Sequence, residues 1–248
     1  MTSKRPRLDR LLVDRGLAAS RQRAAALILA GRVTVEGRRA EKAAQQVAPD
    51  AKLEVLEEHE GYVSRGGIKL AGALDALSLT VAGLVVIDVG ASTGGFTDCL
   101  LRRGARRVYA VDVGYGQLAW KLRQDARVVV LERTNVRYLE REQIPEPVDL
   151  ATIDTSFISL TKVIPRVLGF LSEGGRLLAL IKPQFEVGRG RVGKGGVVRQ
   201  PELHRQVVSE VERFCRDQGL AVEGVVESPL LGPKGNREFF ILAVKSTP

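Results

Sequence analysis

The chain has 248 residues, of which 44% are hydrophobic and 27% charged, a composition typical of a globular protein with a substantial core. Its formal net charge of +9 predicts a polyanionic partner, either a nucleic acid or an anionic membrane surface. It contains no apolar run of about 18 residues, so a membrane-spanning helix is not expected. The two cysteines, Cys99 and Cys215, are too few for a disulfide framework or a cysteine-based zinc site, and they favour a cytoplasmic setting.

Most of the excess positive charge lies in residues 1–56, which carry twelve Lys and Arg against six Asp and Glu. Leucines repeat at helical spacing over residues 8–12, and Gly16 is placed to end that helix. Ser20 is placed to cap a second helix at 21–30. Short strands are predicted at 32–37 and 52–56.

The order of these elements resembles the S4 RNA-binding domain, and residues 20–28 and 31–37 carry the likeness. The resemblance implies a small α+β domain over residues 1–58, followed by a linker at 59–64. Clustered guanidinium groups suit contacts with phosphates, which hold RNA without reading its sequence. A basic face without a ligand is the alternative that charge alone leaves open. The arginines predicted to contact RNA, in this domain and beyond it, are Arg7, Arg10, Arg21, Arg23, Arg32, Arg65, Arg137 and Arg189.

Beyond the linker, strands and helices alternate over residues 65–248, which predicts an α/β fold with a doubly wound, mainly parallel sheet. The last two strands have no helix between them, so the closing pair is expected to be antiparallel. Strands are predicted at 84–89, 107–112, 127–131, 148–153, 176–181, 221–227 and 238–244, and helices at 95–103, 115–124, 159–171 and 201–218.

A glycine-rich turn follows the first strand of this sheet, at residues 90–96. A dinucleotide fingerprint needs glycine at position 92, where the backbone approaches a pyrophosphate, and Ser92 stands there instead. S-adenosylmethionine contains no phosphate, so the turn favours it over NAD. A sheet without a nucleotide, which uses the glycines only for tight turns, is the alternative. The cofactor contacts predicted from this turn and from the tip of the next strand are Asp88, Gly90, Ala91, Ser92, Gly94, Phe96 and Asp112.

A second glycine motif, at residues 188–194, matches the first seven positions of a P-loop. Gly195 stands where the motif requires Ser or Thr, and residues 183–187 separate the loop from its strand. This segment is interpreted as a basic loop that either closes over RNA or is disordered.

Polar side chains also mark the edge of the sheet at which such folds bind ligands. Asp154 and Lys182 follow predicted strands, and Glu238 opens the antiparallel last strand, which places all of them at the same edge. Lys69 lies on a helix before the first strand that is placed to flank the crevice. Each of these residues alone is compatible with a surface salt bridge, but the set of four predicts a catalytic site.

Six stretches of the chain resemble the TlyA family: residues 62–70, 90–96, 112–120, 132–137, 156–160 and 182–188. Members of this family are ribosomal RNA 2′-O-methyltransferases, sometimes labelled haemolysins, built from an S4 domain and an FtsJ-like methyltransferase domain. The resemblance implies a Rossmann-like class I methyltransferase sheet, S-adenosylmethionine as methyl donor, and cytidine in structured ribosomal RNA, within ribosomal subunits, as the target. It further implies that Lys69, Asp154, Lys182 and Glu238 form a catalytic tetrad, and that Asp112 and Asn135 hold the nucleoside of the cofactor.

The chemistry of a ribose hydroxyl explains such a tetrad. The hydroxyl is a weak nucleophile at neutral pH and needs a base, or a cation aimed at its developing charge. A lysine beside another lysine supplies a neutral amine more readily, so Lys182 is expected to be the base and Lys69 its positioning neighbour. Asp154 and Glu238 are expected to orient them.

Absent motifs argue against other methyl acceptors. Residues 154–157 read Asp-Thr-Ser-Phe and lack the two prolines of the segment that base N-methyltransferases commonly use. Cytosine C5 methylation needs a nucleophilic cysteine, but Cys99 and Cys215 lie in helical stretches and are expected to be packing residues.

Two further functions stay open on the sequence alone. One is a binding protein that keeps the fold without catalysis. The other is membrane lysis, as the haemolysin label suggests, although no segment suited to insertion is evident. The chain stops soon after the last predicted strand, and because substrate range in the family is tied to terminal extensions, the large ribosomal subunit is favoured as substrate. The sequence does not indicate the oligomeric state.

Overall fold

The structure is a computed structural model that describes residues 5–29, 31–40, 42–55, 61–188, 191–193 and 195–246. The chain forms two compact units, Met1–Gly61 and Tyr62–Pro248. The division between them falls inside the segment 59–64 that the sequence predicts to be a linker.

The N-terminal unit packs two helices on a small antiparallel sheet. Helix α1 (Leu8–Asp14) ends just before Gly16, as predicted. The Ser20 hydroxyl accepts a hydrogen bond of 3.1 Å from the Arg23 amide and so caps α2 (Arg21–Leu29). The apolar side chains of both helices form the core of this unit. The sheet consists of β1 (Val33–Val35), β2 (Arg38–Arg39) and β3 (Leu53–Val55), in the order β2-β1-β3.

Asp9 connects α1 to two of the arginines that are predicted to bind RNA. Its carboxylate is buried and accepts hydrogen bonds from Arg7 Nη2 at 2.9 Å and from Arg21 Nη2 at 3.1 Å. It also accepts one of 2.9 Å from the Arg10 amide. The hydrogen bond with Arg7 is the largest of the interactions that lower the pKa of Asp9 to about 2.

We therefore expect the N-terminal unit to lose stability in acid. The pKa of Asp9 is about 2 in the folded chain and 3.8 in an unperturbed aspartate. Folding thus favours the ionised form, so the stability that Asp9 contributes is complete above about pH 4 and is lost as the pH falls toward 2. Amide hydrogen exchange of peptides covering 8–29 checks this, with Asp9→Asn as the comparison. Protection in the wild-type chain should fall over this range, whereas protection in the variant should already be low at pH 6. Equal protection of the two proteins at pH 6 would contradict the assignment.

The C-terminal unit is built on a seven-stranded sheet with the order β6-β5-β4-β7-β8-β10-β9. Strands β4 to β8 run parallel, and β10 runs antiparallel to both β8 and β9, which confirms the predicted antiparallel closing pair. Alternate residues of the strands face two apolar cores, one on each side of the sheet. The strands are β4 (Val85–Val89), β5 (Arg107–Val111), β6 (Val128–Leu131), β7 (Val148–Ile153), β8 (Leu171–Ile181), β9 (Leu220–Glu227) and β10 (Phe239–Lys245). The helices are α3 (Arg65–Ala76), α4 (Gly95–Arg102), α5 (Trp120–Arg123), α6 (Ile164–Val167), α7 (Pro183–Glu186) and α8 (Pro201–Asp217).

Two predicted helices are much shorter in the structure. The predicted helix at 159–171 is a 3₁₀ turn, Leu160–Lys162, followed by the four residues of α6. Pro165 has no amide hydrogen to donate to the preceding turn, so a continuous helix cannot pass through it. The predicted helix at 115–124 shrinks to α5, because the residues before α5 form a turn that wraps around Asp112.

Helix α3 is fixed against the start of α4, and this contact places Lys69 at the edge of the sheet. The Ser64 hydroxyl accepts a hydrogen bond of 3.3 Å from the Gly66 amide and caps α3. A Cβ atom at Gly95 would lie only 2.2 Å from Ser64 Oγ and 2.9 Å from the Gly67 amide nitrogen. The two helix starts therefore approach so closely that only glycine fits between them.

Candidate active site

The carboxyl ends of β4, β5, β6 and β7 surround a cavity of ≈480 Å³. The turn after β4, the turn after β5, the residues after β6 and the segment 154–158 after β7 form its walls. The cavity thus lies where the sequence predicts ligand binding in a doubly wound sheet.

Asp112 organises one wall of this cavity. Its Oδ2 accepts a hydrogen bond from the Ser92 amide at 2.8 Å, and its Oδ1 accepts one from the Gly114 amide at 2.7 Å. Ser92 has a φ of +50°, a conformation that is uncommon without glycine and that this hydrogen bond helps to hold. Each carboxylate oxygen keeps a free lone pair. Asp112 is therefore oriented to accept hydrogen bonds from a ligand, as the sequence predicts for ribose hydroxyls.

Asn135 lines the same cavity from the end of β6. Its Oδ1 accepts a hydrogen bond of 3.1 Å from the Arg137 amide and caps the 3₁₀ turn Val136–Tyr138. Because the carbonyl oxygen is used in this cap, the NH₂ group is the part of the side chain left to bind a ligand. An NH₂ donor suits the ring nitrogens of an adenine.

The charge of the cavity discriminates between cofactors. Its lining contains two carboxylates, those of Asp112 and Asp154, and no Lys or Arg among the residues that the structure describes. Such a lining disfavours a pyrophosphate and suits a cationic sulfonium. Apolar side chains, including Val113 and Val136, form much of the remaining surface. The residues present therefore fit S-adenosylmethionine.

The predicted cofactor contacts fall into two groups. Gly90, Ser92, Asp112 and Asn135 line the cavity, whereas Asp88, Ala91, Gly94 and Phe96 lie outside its lining. A Cβ atom at Gly90 would lie 2.5 Å from the carbonyl oxygen of Asp154, so this glycine allows the turn to pack directly on the end of β7.

Asp88 and Phe96 lie behind the turn. Asp88 is fully buried, where its carboxylate accepts hydrogen bonds from the hydroxyls of Thr97 at 2.7 Å and Thr152 at 3.1 Å. Burial raises its pKa to about 7. Phe96 is buried and stacks on Phe240, with ring centroids 5.9 Å apart. Both side chains pack beneath the glycine-rich turn and support its conformation. Their predicted contact with the cofactor stays a prediction.

The four predicted catalytic residues form two ion pairs. Lys182 Nζ lies 2.6 Å from Asp154 Oδ1 and donates a hydrogen bond of 3.1 Å to Ser156 Oγ. Lys182 is 8% exposed, and Asp154 and Ser156 line the cofactor cavity. The amine is therefore held at the cavity wall by two fixed oxygen atoms.

The second pair joins the first helix of this unit to its last strand. Lys69 Nζ lies 2.6 Å from Glu238 Oε2, and both side chains are buried. Glu238 Oε1 has no hydrogen-bond partner among the described residues, and a Cβ atom at Gly232 would lie 2.0 Å from it. Each lysine thus faces a carboxylate. The predicted role of Lys69 as the positioning neighbour of Lys182 stays a prediction.

Several residues of the site carried no role in the sequence prediction. Gln117 and Thr134 line the cofactor cavity, and so do Thr155, Ser156 and Phe157. All five lie in or next to motifs that carry the family resemblance, but only the structure shows that they face one cavity. Phe157 is unusual because it is 90% exposed and has a φ of +65°.

The arginines of the N-terminal unit that are predicted to bind RNA are largely exposed to solvent. Arg7, Arg10 and Arg21 form ion pairs with Asp9 or Asp14 while 49%, 71% and 60% of their side-chain surface stays exposed. Arg23 is exposed and Arg32 is half-buried. Exposed guanidinium groups of this kind are accessible to phosphates.

The C-terminal unit supplies three more of these arginines. Arg65 donates a hydrogen bond of 3.1 Å to the Leu231 carbonyl oxygen. Arg137 stacks over the exposed ring of Tyr138, with the guanidinium carbon 5.4 Å from the ring centroid. Arg189, and part of the predicted basic loop around it, lie outside the described residues.

Two family profiles match the chain. Residues 62–245 match the profile described as FtsJ-like methyltransferase, and residues 6–53 match the S4 domain. The chain belongs to the FtsJ-like methyltransferase family. The methyl donor of this FtsJ-like methyltransferase is S-adenosylmethionine, which the cavity lining also favours.

Sequence and structure comparisons find TlyA proteins and hemolysins among the relatives of this chain, as the sequence predicts. The 16S/23S rRNA (cytidine-2′-O)-methyltransferase TlyA of Mycobacterium tuberculosis is 52% identical over 240 residues, which cover 96% of this chain and 90% of the relative. Hemolysin A of Brachyspira hyodysenteriae is 39% identical over 234 residues, which cover 94% of this chain and 97% of the relative. A solved structure from Streptococcus thermophilus, also named a hemolysin, is 43% identical and has a TM-score of 0.76. The match covers 98% of this chain and 89% of the Streptococcus chain. The predicted family is confirmed.

Other features of this FtsJ-like methyltransferase bear on the alternatives. Among the described residues, no helix has the length and apolar character needed to cross a membrane. Cys99 and Cys215 are buried, and burial raises the pKa of each thiol to about 11. Thiolates are therefore scarce at neutral pH, in keeping with the predicted packing role of both cysteines.

Proposed function

We propose that this chain transfers a methyl group to the ribose 2′-hydroxyl of a cytidine in structured ribosomal RNA, within cytoplasmic ribosomal subunits. The observation that carries the proposal is the Lys182–Asp154–Ser156 contact at the wall of the cofactor cavity. The names of the relatives support both the acceptor atom and the cytidine.

When bound, S-adenosylmethionine supplies an electrophilic methyl group on a cationic sulfur. Lys182 Nζ takes the proton of the 2′-hydroxyl as the oxygen becomes nucleophilic, and for this it must first release its own proton to Asp154, whose Oδ1 lies 2.6 Å away. Asp154 and Ser156 hold the amine in one direction, so little reorganisation accompanies the proton transfer. The chain thus acts mainly by positioning the hydroxyl and receiving its proton.

The Lys69–Glu238 ion pair is proposed to position other parts of the site and not to contact the reacting atoms. Lys69 lies on α3, whose start packs against the first turn of α4, and Glu238 opens β10 beside the end of β8. The ion pair therefore ties the helix next to the cofactor turn to the strand next to Lys182. We assign it the task of holding these two parts of the site in register.

The N-terminal unit is proposed to hold the RNA through phosphates. Its exposed arginines, among them Arg7, Arg10 and Arg21, supply the positive charge and N–H donors that suit phosphate oxygens. Binding to the ribosomal subunit should accordingly weaken steeply with salt.

The proposal is tested by mapping ribose methylation in ribosomal RNA. Ribosomal subunits from cells that lack the protein are incubated with the purified chain and labelled S-adenosylmethionine, and nuclease fragments are analysed by mass spectrometry. We expect one methyl group on the ribose of a cytidine, and the labelled subunit identifies the substrate. A methyl group on a base, or cofactor binding without transfer to either subunit, would refute the proposed reaction.

A further inference from the structure

A second cavity, of ≈650 Å³, adjoins the cofactor cavity and shares Phe157 and Ile158 with it. One of its walls comes from α7, which begins directly after Lys182. Because the two cavities share these two residues, a group bound in the second cavity lies directly beside the cofactor cavity. The volume is sufficient for a nucleotide.

Phe157 and Phe185 give this second cavity an aromatic surface. Their ring centroids are 5.1 Å apart and the rings are tilted by 49°. The segment that carries Phe157 is anchored to α7 by Glu186, which accepts hydrogen bonds from Ser159 Oγ at 2.6 Å and from the Leu160 amide at 2.9 Å. An exposed ring on an anchored segment is suited to stack with an unpaired base.

The polar side chains of the second cavity differ in what they offer a ligand. Arg137 and Lys162 carry only hydrogen-bond donors. Gln184 also lines the cavity, and its Oε1 is buried and has no hydrogen-bond partner among the described residues. A buried carbonyl oxygen without a partner is unfavourable, so a ligand that brings a donor to it gains the most.

We propose that Gln184 selects the target base, with its Oε1 accepting a hydrogen bond from the exocyclic amino group of cytosine. This inference rests on the proposed function, because it takes the base of the methylated nucleotide to lie in the second cavity. Cytosine carries a donor at this position and uracil carries a carbonyl acceptor. A site that hydrogen-bonds one group discriminates strongly against an analogue that leaves the site unpaired.

The test compares two target nucleotides in otherwise identical RNA. Ribosomal subunits are reconstituted with ribosomal RNA that carries either cytidine or uridine at the mapped target position, and kcat/KM for methyl transfer is measured on both. We expect the wild-type chain to prefer cytidine by about 10–100-fold. Gln184→Met keeps the length of the side chain but removes the acceptor, so it should lower the rate on cytidine and bring the preference to within about threefold.

The matched control is Gln218→Met, an exposed glutamine at the end of α8, which should retain the wild-type preference. The dissociation constant for S-adenosylmethionine, measured by calorimetry, should be the same in both variants, since Gln184 does not line the cofactor cavity. An unchanged preference in Gln184→Met, or a wild-type chain that methylates both nucleotides equally, would overturn the role of Gln184 alone. If the wild-type chain methylates no ribose, the proposed function fails and the inference fails with it.

Discussion

Replacing Lys182 with alanine is expected to lower kcat for methyl transfer by about 10²–10⁴-fold, the range in which a positioned general base contributes. Affinity for S-adenosylmethionine should change much less than kcat, because Lys182 meets the cofactor cavity only through Asp154 and Ser156. Single-turnover methylation of ribosomal subunits and calorimetry with the cofactor measure the two quantities.

Two further variants separate the roles of the amine. Lys182→Arg keeps a positive charge but cannot act as a base, since a guanidinium stays protonated, so it should be as inactive as Lys182→Ala. Lys245→Ala serves as the control, because Lys245 pairs with Glu173 at 2.9 Å and plays no part in the site. Full activity in Lys182→Arg would show that the site needs only a cation there, and full activity in Lys182→Ala would remove Lys182 from the mechanism.

The second large effect is expected from breaking the buried Lys69–Glu238 pair. Lys69→Met leaves the carboxylate of Glu238, which is 1% exposed, without its counter-charge. Removing one partner of a buried ion pair destabilises a protein by about 3–5 kcal/mol. Urea unfolding of the full chain should show this loss as a lower midpoint, and methyl transfer should fall with it.

The double variant Lys69→Met/Glu238→Gln tests whether charge is the cause. It removes both charges at nearly constant volume, so it should recover most of the lost stability without recovering activity. If the double variant is no more stable than Lys69→Met, lost packing explains the effect. If it regains activity, the pair has no positioning role.

Most of the sheet of the C-terminal unit was predictable because its strands are short apolar runs, whereas the polar first half of β8 (Leu171–Ile181) was not predicted as strand. Val85–Val89 is buried along its whole length, and such a run next to a glycine turn is a strong signal of a central parallel strand. The helix predicted at 159–171 was wrong in its extent, since apolar spacing alone does not weigh the missing amide of Pro165.

The sequence names four residues of the proposed site but does not indicate the two pairs that they form. Lys69 and Glu238 are separated by 169 positions in the chain, and no local pattern indicates that they touch. Likewise, no local pattern indicates that Asp154 and Ser156 hold the Lys182 amine. Periodicity places residues on elements, whereas the choice of partner depends on how elements from distant parts of the chain come together.

The antiparallel last strand has a consequence for the timing of activity during synthesis. Strand β10 lies between β8 and β9, with Phe239 opposite Ile181, so Glu238 reaches the site only when β10 has paired. A nascent chain still in the exit tunnel can form the cofactor cavity from β4 to β7 but lacks the partner of Lys69. Methyl transfer therefore waits until β10 has left the tunnel and paired with β8, a step later than the one that forms the cofactor cavity.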